Sequence, residues 1–277
     1  MSEPLTFALL PSRSLIAVSG PDWRDFLQGL ITQDVETLRA GEARFGALLT
    51  PQGRLLYDLF VVGREDGCWL DVLAEHRSAI LQRLTMYRLR AKVALATDET
   101  PVAILFPGDA APKAGWVRDP RLAALGWRGY GASAPQGATV ADEAARELQK
   151  LALGVPGPAD WGSDKTYPIE ANFDLLNGID FKKGCFVGQE TTSRMKRRGQ
   201  IKSRMAPIAF EGPAPAPGAE VLAGDLRAGV VLSGGEGRAM ALLRLDRAEG
   251  KPLTVDGRAV IVERPAWFLE ALGVEAA

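Results

Sequence analysis

A proline- and glycine-rich stretch at 211–218 most constrains the fold of this chain. It reads Glu-Gly-Pro-Ala-Pro-Ala-Pro-Gly, which is typical of a linker and favours neither helix nor strand. Short apolar runs follow it, and the dipeptide Asp256-Gly257 predicts a tight hairpin between the last two runs. The runs lie at 229–232, 239–245, 253–255 and 259–262. This pattern predicts a small all-β module of roughly 75 residues.

The longer part of the chain before this stretch mixes helix and strand signals. Apolar residues at helical spacing over 19–30 predict a short helix with one apolar face. They are Trp23, Phe26, Leu27 and Leu30. Turn signals divide 44–73 into an antiparallel meander, and further helices are expected over 75–90 and 139–153. The length of 277 residues favours two domains.

The composition excludes several classes of site. The net charge is −1 and the pI is about 6.0, whereas a protein that coats duplex nucleic acid normally carries a large basic excess. The two cysteines, Cys68 and Cys185, cannot build a disulfide framework, which fits a reducing compartment. With the single histidine, His76, they are too few for a four-ligand zinc site, and one chain cannot supply an all-cysteine iron–sulfur cluster.

The first residues carry no recognisable targeting signal. The sequence Met-Ser-Glu-Pro-Leu-Thr has no basic segment followed by an apolar run, and it is not rich in arginine. The apolar runs elsewhere are too short to span a bilayer. We therefore expect a soluble cytoplasmic protein with no membrane partner and no DNA partner.

One segment, residues 177–204, combines a cysteine with a dense basic run. Residues 182–204 contain eight Lys/Arg and one acid inside a nearly neutral chain. Lys183 and a glycine precede Cys185, and Gly188 precedes a stretch that can form a helix. Nearby ammonium groups and a helix N-terminus both lower the pKa of a thiol, and glycine leaves room for a ligand or partner. The arrangement predicts a reactive thiolate.

Each of these features also has a simpler interpretation. Cys185 can be a buried structural cysteine, the usual fate of a lone cysteine, and Cys68 is most simply a core residue. The basic run at 194–204 can be a solvated face, or an anion site for a folate tail, an acidic protein or RNA. RNA is the least favoured, because the run lacks interleaved aromatic residues for base stacking. His76 is expected on the surface at the start of a helix.

Residues 183–190 resemble a family signature. They read Lys-Gly-Cys-Phe-Val-Gly-Gln-Glu, which is similar to the Lys-Gly-Cys-(Tyr/Phe)-x-Gly-Gln-Glu motif of the YgfZ family. The flanking Asn-x-Asp-Leu-Leu-Asn-Gly and Arg-Met-Lys segments agree with this family. Residues 26–35, and 48–54 with Asp58, resemble segments shared more loosely with the glycine-cleavage T-protein. The chain is therefore identified as a YgfZ-like protein, related to a mitochondrial iron–sulfur cluster assembly factor.

The resemblance implies an α+β fold of the T-protein, or aminomethyltransferase, type. A folate-binding body would span residues 1–202, with sub-lobes of about 1–106 and 107–202. A small antiparallel β-barrel at the C-terminus would span 203–277. The resemblance also implies tetrahydrofolate or a derivative as the cofactor, with no permanently bound metal.

Two departures from the T-protein argue against aminomethyl transfer. The T-protein has adjacent acidic residues after its glycine turn, whereas this chain has Tyr57 and Asp58 there. At the position of the T-protein's pterin-binding glutamate this chain has Ala152, whose side chain cannot accept hydrogen bonds from a pterin. Both losses also weaken the case for folate binding.

The resemblance implies a tetrahydrofolate-linked accessory factor for the assembly or repair of iron–sulfur proteins, including radical-type enzymes that modify tRNA. Cys185 would be the thiolate, as a transient iron ligand or a redox nucleophile, and Lys183 would keep it ionised. Asp58 completes the predicted catalytic residues. The predicted cofactor-binding and positioning residues are Gln33, Asp34, Gly184, Gly188, Gln189, Glu190 and Arg194.

Two other functions are open alternatives. A folate-dependent one-carbon transferase would use Asp58 to orient or protonate the substrate amine, and Cys185 would be incidental. A partner-binding module without chemistry would use the basic face at 194–204 to hold an acidic protein. Under the favoured hypothesis, the partners are a folate and iron–sulfur assembly or client proteins.

Overall fold

The computed structural model describes residues 5–107, 115–199 and 201–272, and the chain forms a body followed by a barrel. The strands of the body are β1 (Thr6–Leu9), β2 (Arg13–Ser19), β3 (Ala43–Leu49), β4 (Leu55–Arg64), β5 (Gly67–Leu73), β6 (Ala94–Asp98), β7 (Val102–Phe106), β8 (Trp116–Arg118), β9 (Trp127–Tyr130) and β10 (Thr139–Ala141). Its helices are α1 (Trp23–Gln28), α2 (Arg77–Arg88), α3 (Glu143–Ala152), α4 (Pro158–Trp161) and α5 (Gln189–Arg198). The barrel part contains β11 (Ser203–Ala209), β12 (Glu220–Ala223), β13 (Leu226–Gly235), β14 (Arg238–Arg244), α6 (Leu245–Ala248), β15 (Leu253–Val255), β16 (Arg258–Val262) and α7 (Ala266–Leu272). None of the helices in these ranges is long and apolar enough to cross a membrane.

The first sheet of the body is antiparallel and has the strand order β3-β4-β5-β2-β6. Helices α1 and α2 cover one of its faces. The apolar residues predicted for the first helical face are all buried there, which confirms that prediction. They are Trp23, Phe26, Leu27 and Leu30. Ile80 and Leu84 of α2 join the same core, so both helices are fixed to the sheet by their apolar faces.

The second sheet has the order β10-β1-β7-β9-β8, with β1 and β10 parallel. Strands β1 and β7 of this sheet precede residue 107, and β8, β9 and β10 follow it. The predicted boundary between the sub-lobes therefore divides a single sheet. Thr139 belongs to β10, and α3 begins only at Glu143. The Asp142 carboxylate caps α3 by accepting a hydrogen bond from the Ala145 amide. The helix predicted from Thr139 is therefore too long, because the chain first adds a strand.

Six antiparallel strands close the barrel in the order β11-β14-β13-β12-β15-β16. Its first strand begins at Ser203, so 211–218 is a loop between two barrel strands and does not link two domains. Asp256 and Gly257 have φ angles of +49° and +74° and form the predicted turn between β15 and β16. The structure thus has the predicted α+β class with a C-terminal antiparallel barrel.

Barrel and body share a hydrophobic core that fixes the chain beside the motif cysteine. Met205 and Met240 of the barrel lie in one cluster with Phe45 and Phe173 of the body. Phe186, the residue after the cysteine, is buried in the same cluster. The position of the motif therefore depends on both parts of the protein.

Candidate functional site

Cys185 lies in an exposed loop that precedes α5. We call residues 180–188 the thiol loop. The amides of Asp180 and Val187 donate to backbone carbonyl oxygens in the connection after α1, at 3.0 and 3.1 Å. The loop is therefore held at both ends while the cysteine between them is open to solvent. The alternative of a buried structural cysteine does not apply to Cys185.

Cys68, in contrast, is a core residue as predicted. It lies on β5 and is buried in the cluster that contains α1 and α2. Burial raises the pKa of the Cys68 thiol well above its usual value. An enclosed thiol that stays protonated is a poor nucleophile and metal ligand. Since the chain has only two cysteines, Cys185 is its accessible thiol.

Lys183 fixes the thiol loop to the body. Its Nζ donates to three backbone carbonyl oxygens at 2.7, 2.7 and 3.0 Å. These acceptors belong to Gln28, Ile31 and Gln33. Burial lowers the pKa of Lys183 to about 8, although Asp34, Asp180 and Glu36 act in the opposite direction. All three donors of the ammonium are engaged by these carbonyls, so Lys183 holds the thiol loop in position.

Gln33 links the connection after α1 to Asn177, whereas Asp34 forms hydrogen bonds within its own part of the chain. The Gln33 amide donates to the Asn177 carbonyl at 2.6 Å and accepts from the Asp34 amide at 2.9 Å. Burial raises the pKa of Asp34, but hydrogen bonds from Thr37 and Gln28 outweigh this and lower it below its usual value. Both residues therefore brace the connection after α1. Gln33 also lines a cleft of about 590 Å³ that extends to Lys182, at the start of the thiol loop.

Two glycines bring separate motif segments into contact. Gly188 has a φ of +83°, and a Cβ atom there would lie 2.5 Å from the carbonyl oxygen of Thr50. A Cβ atom on Gly53 would lie 2.8 Å from the carbonyl oxygen of Gly188. The turn at 51–53 therefore packs backbone against backbone on the thiol loop. Gly184 differs, since its φ is outside the left-handed region and a Cβ atom there would meet only open space.

The three remaining residues predicted from the motif belong to α5. The Gln189 Oε1 atom accepts from the Phe186 amide at 3.4 Å, which helps to shape the thiol loop. Glu190 is exposed in the first turn of α5, where a negative charge is favoured by the helix dipole. Arg194 is exposed one turn further along the helix. Glu190 and Arg194 are thus available to a ligand or partner, whereas Gln189 is a structural contact.

The basic run at 194–204 is not one continuous surface. Arg204 is buried and forms a two-point ion pair with Asp174 at 2.8 and 2.9 Å. Lys196 lies 3.8 Å from the same carboxylate. The exposed basic face is therefore confined mainly to α5, where Arg197 and Arg198 lie.

Asp58 lines a cleft of about 510 Å³, which we call the aromatic cleft. The aromatic cleft is also lined by Tyr57, His76, Glu143 and Trp161. Asp58 is buried and accepts from Arg13 at 3.1 Å. The ring of His76 lies 5.0 Å from that of Tyr57, so the histidine is a half-buried cleft residue and not the plain surface residue expected from the sequence. Cys185 does not line this cleft, so the predicted catalytic residues are divided between two places.

A buried ion network, which was not predicted from the sequence, joins the two sheets of the body. Asp71 accepts from Arg13 and Arg128 at 2.7 and 2.5 Å. Asp119 accepts from two further arginines. The partners of Asp71 are 57 and 58 residues away in the chain, so no local pattern marks them. Within the described residues, no group of three or more His, Cys, Asp or Glu could hold a metal ion.

Comparison with known proteins identifies both parts of the fold. The family model described as the CAF17 C-terminal beta-barrel domain matches residues 202–270. A crystal structure of glycine cleavage system aminomethyltransferase T from Bartonella henselae is similar with a TM-score of 0.76. The match covers 97% of this chain and 87% of that chain at 19% identity. This similarity confirms the predicted T-protein-like fold. At 19% identity it concerns the fold alone.

Two sequence relatives, from human and Neurospora crassa, carry the same family name. Human "Iron-sulfur cluster assembly factor IBA57, mitochondrial" is 31% identical over 280 residues, which cover 87% of this chain and 78% of that protein. The corresponding Neurospora crassa homologue is 33% identical over 238 residues, covering 74% of this chain. The aligned part is 54% of the Neurospora crassa protein, so the chain spans about half of that relative's length.

The names of these relatives also correct the predicted location. Both are named as mitochondrial proteins, so the cytoplasmic location expected from the sequence is wrong by this comparison. Unpaired cysteines and an ordinary composition do not distinguish the cytoplasm from another reducing compartment. Since the human protein is 31% identical and 78% of it is covered, this chain belongs to the IBA57 family.

Proposed function

We propose that this protein is an accessory factor for the assembly or repair of iron–sulfur proteins and acts through Cys185. The observation that carries the proposal is the exposure of this thiol on a loop with fixed neighbours. Lys183 is bonded to three carbonyls, and Phe186 is buried between body and barrel. The relatives are named iron–sulfur cluster assembly factors, and residues 183–190 are similar to the YgfZ motif. A sulfur atom held in this way is suited to meet iron carried by another protein.

Iron or a cluster would be the cargo of this protein. Clusters of two or four irons are commonly held by four cysteines, and Cys185 would supply one ligand. The other ligands would come from an iron–sulfur assembly protein or a client, including radical-type enzymes that modify tRNA. The thiol binds iron as thiolate, so its proton passes to solvent when the sulfur–iron bond forms.

Replacement of Cys185 by serine is expected to abolish this function and leave the fold intact. Serine has nearly the same size, but its hydroxyl does not ionise near neutral pH and is a poor iron ligand. Because the residue is exposed, we expect the free energy of unfolding to change by less than about 0.5 kcal/mol. The measurement is the activity of endogenous iron–sulfur enzymes in cells that lack the wild-type gene and express the variant.

Cys68→Ser provides the matched control. It removes the buried thiol and destabilises the core, but it leaves the thiol loop unchanged. We expect it to restore enzyme activity in proportion to the amount of folded protein. Full recovery with Cys185→Ser, at wild-type protein levels, would show that the thiol is not required.

We also propose that the aromatic cleft binds tetrahydrofolate or a derivative. Tyr57 presents an aromatic ring, and the carboxylates of Asp58 and Glu143 can accept the N–H donors of a pterin. The cleft volume of about 510 Å³ lies within the usual range for small-molecule sites. This chain has Ala152 at the position of the T-protein's pterin-binding glutamate. The carboxylates of Asp58 and Glu143 would therefore have to bind the pterin in its place. A bound folate would supply one-carbon chemistry, and these side chains would bind and orient it.

Replacement of Tyr57 by leucine is expected to weaken binding of tetrahydrofolate about five- to 150-fold, because stacking on an aromatic ring contributes about 1–3 kcal/mol. Anaerobic calorimetric titration of the purified protein measures the effect. Tyr87→Leu is the control, since Tyr87 lies on α2 and does not line the cleft. An unchanged affinity in Tyr57→Leu contradicts this site. Transfer of a one-carbon unit to the folate would favour the transferase alternative.

A further inference from the structure

The C-terminal end of α2 exposes large apolar side chains that the fold does not use. Met86 is 61% exposed, Tyr87 is 38% exposed and Leu89 is 87% exposed. Leu89 also has a φ of +43°, a region where side chains other than glycine are disfavoured. Glycine would cost less at this position. A leucine that is both exposed and in a strained conformation therefore fits a contact outside this chain.

This helix end lies beside the thiol loop. The guanidinium of Arg83 donates to the Leu49 carbonyl at 3.3 Å, and a Cβ atom on Gly188 would lie 2.9 Å from the Leu49 Cβ. Val187 lines one small groove together with Tyr87 of α2. Arg83 and Tyr87, in the C-terminal half of α2, thus lie beside the residues that directly follow Cys185.

The same side carries a concentrated positive charge. Residues 77–92 contain five Lys/Arg and no acid, and residues 182–198 contain six Lys/Arg and one acid. Several arginines of these segments form no salt bridge within 4.0 Å to any acid that the structure describes. They are Arg83, Arg88, Arg90, Arg194, Arg197 and Arg198. Because the whole chain has a net charge of −1, this surface is far more basic than the average.

We propose that the end of α2 and the thiol loop form one docking face for an acidic iron–sulfur protein that presents its cluster site to Cys185. Leu89 and Met86 would be the apolar centre, and the arginines would form the rim. Apolar anchors inside a charged rim are usual at protein interfaces, and complementary charge accelerates association and selects the partner. The proposal rests on the function proposed for the thiol, and it adds the surface and the charge of the partner. Nucleic acid is a poorer fit, because the two most exposed apolar side chains of this face, Leu89 and Met86, have no aromatic ring on which a base could stack.

The test compares Leu89→Asp with Leu226→Asp in cells that lack the wild-type gene. Leu226 is 58% exposed at the start of β13 in the barrel, so the two variants remove similar apolar surface at different places. We expect Leu89→Asp to reduce iron–sulfur enzyme activity at least tenfold and Leu226→Asp to keep it within twofold. Both purified variants should unfold at the wild-type urea concentration, which separates loss of docking from loss of folding.

The result for Cys185→Ser distinguishes the two proposals. If Leu89→Asp is fully active while Cys185→Ser is inactive, the docking face is wrong and the function of the thiol stands. If both variants are fully active, both proposals are wrong.

The partner's charge is tested by cross-linking in the cell. A photoreactive amino acid at Gln82, which is exposed one helical turn before Met86, removes neither an anchor nor a rim arginine. We expect the cross-linked product to be an acidic protein with cluster-binding cysteines, and to disappear with Arg88→Glu and Arg90→Glu. Cross-linking mainly to nucleic acid, to lipid or to a second copy of this chain would overturn the proposal.

Discussion

Replacement of Asp119 by alanine is expected to lower the free energy of unfolding by about 3–5 kcal/mol, the usual cost of removing one partner from a buried ion pair. The Asp119 carboxylate accepts from Arg121 at 2.7 and 2.9 Å and from Arg146 at 2.9 Å. Arg128 lies 3.8 Å away. All four side chains are buried. Without the carboxylate, three guanidinium groups would share an interior in which one negative charge has been lost.

The acid dependence of stability provides a second measurement of the same effect. Burial raises the pKa of Asp119, but Arg121 and Arg146 outweigh this and hold it well below its usual value. An unfolded aspartate has a pKa of about 3.9, so below about pH 4 the unfolded chain binds this proton first and folding becomes less favourable. The contribution is complete above about pH 4 and is lost as the pH falls towards the folded pKa. The alanine variant should lack this part of the acid dependence.

Urea unfolding followed by tryptophan fluorescence measures both effects. Asp225→Ala is the matched control, because this aspartate is exposed in the turn between β12 and β13. We expect the control to lie within about 0.5 kcal/mol of the wild type. A loss of less than 1 kcal/mol in Asp119→Ala would mean that the arginines find other partners or reach solvent when the carboxylate is removed.

Local sequence signals were sufficient for the elements that depend on local chemistry. The face formed by Trp23 and Phe26 and the turn at Asp256 follow from spacing and turn preference, and both are present in the structure. The helix predicted from Thr139 shows the limit of such signals. The helix is capped by Asp142, three residues after the predicted start, because pairing of Thr139 with β1, more than 130 residues earlier in the chain, places a strand first.

The candidate site was predictable in its residues but not in their roles. Lys183 is next but one to Cys185 in the chain, which suggested that its charge acts on the thiol. In the structure the charge is bound by carbonyls of a segment about 150 residues earlier. Asp58 was grouped with the cysteine, yet it pairs with Arg13 in a different cleft. Sequence neighbours indicate which residues meet a site, whereas long-range hydrogen bonds decide which of them remain free to react.

Replacement of Gly188 by alanine is expected to destabilise the protein by about 2–5 kcal/mol and to abolish iron–sulfur enzyme activity. Its φ of +83° is disfavoured for any residue with a Cβ atom, at a cost of about 1–2 kcal/mol. The added methyl group would lie 2.5 Å from the Thr50 carbonyl oxygen and 3.1 Å from the Gly53 Cα. These are backbone atoms, so no side-chain rotation relieves the contact, and overpacking costs a further 1–3 kcal/mol or so.

Gly184→Ala separates the effect on the fold from the effect on the site. It adds the same methyl group to the same loop, one residue before Cys185, but at an ordinary φ and with no atom within 4 Å. We expect an unchanged urea midpoint for Gly184→Ala and a large shift for Gly188→Ala. If Gly184→Ala nevertheless loses enzyme activity, the methyl group must obstruct something that approaches the thiol from outside, because nothing inside the protein touches it. A Gly188→Ala variant of wild-type stability would contradict the contact between the turn at 51–53 and the thiol loop, and with it the rigid placement of the thiol.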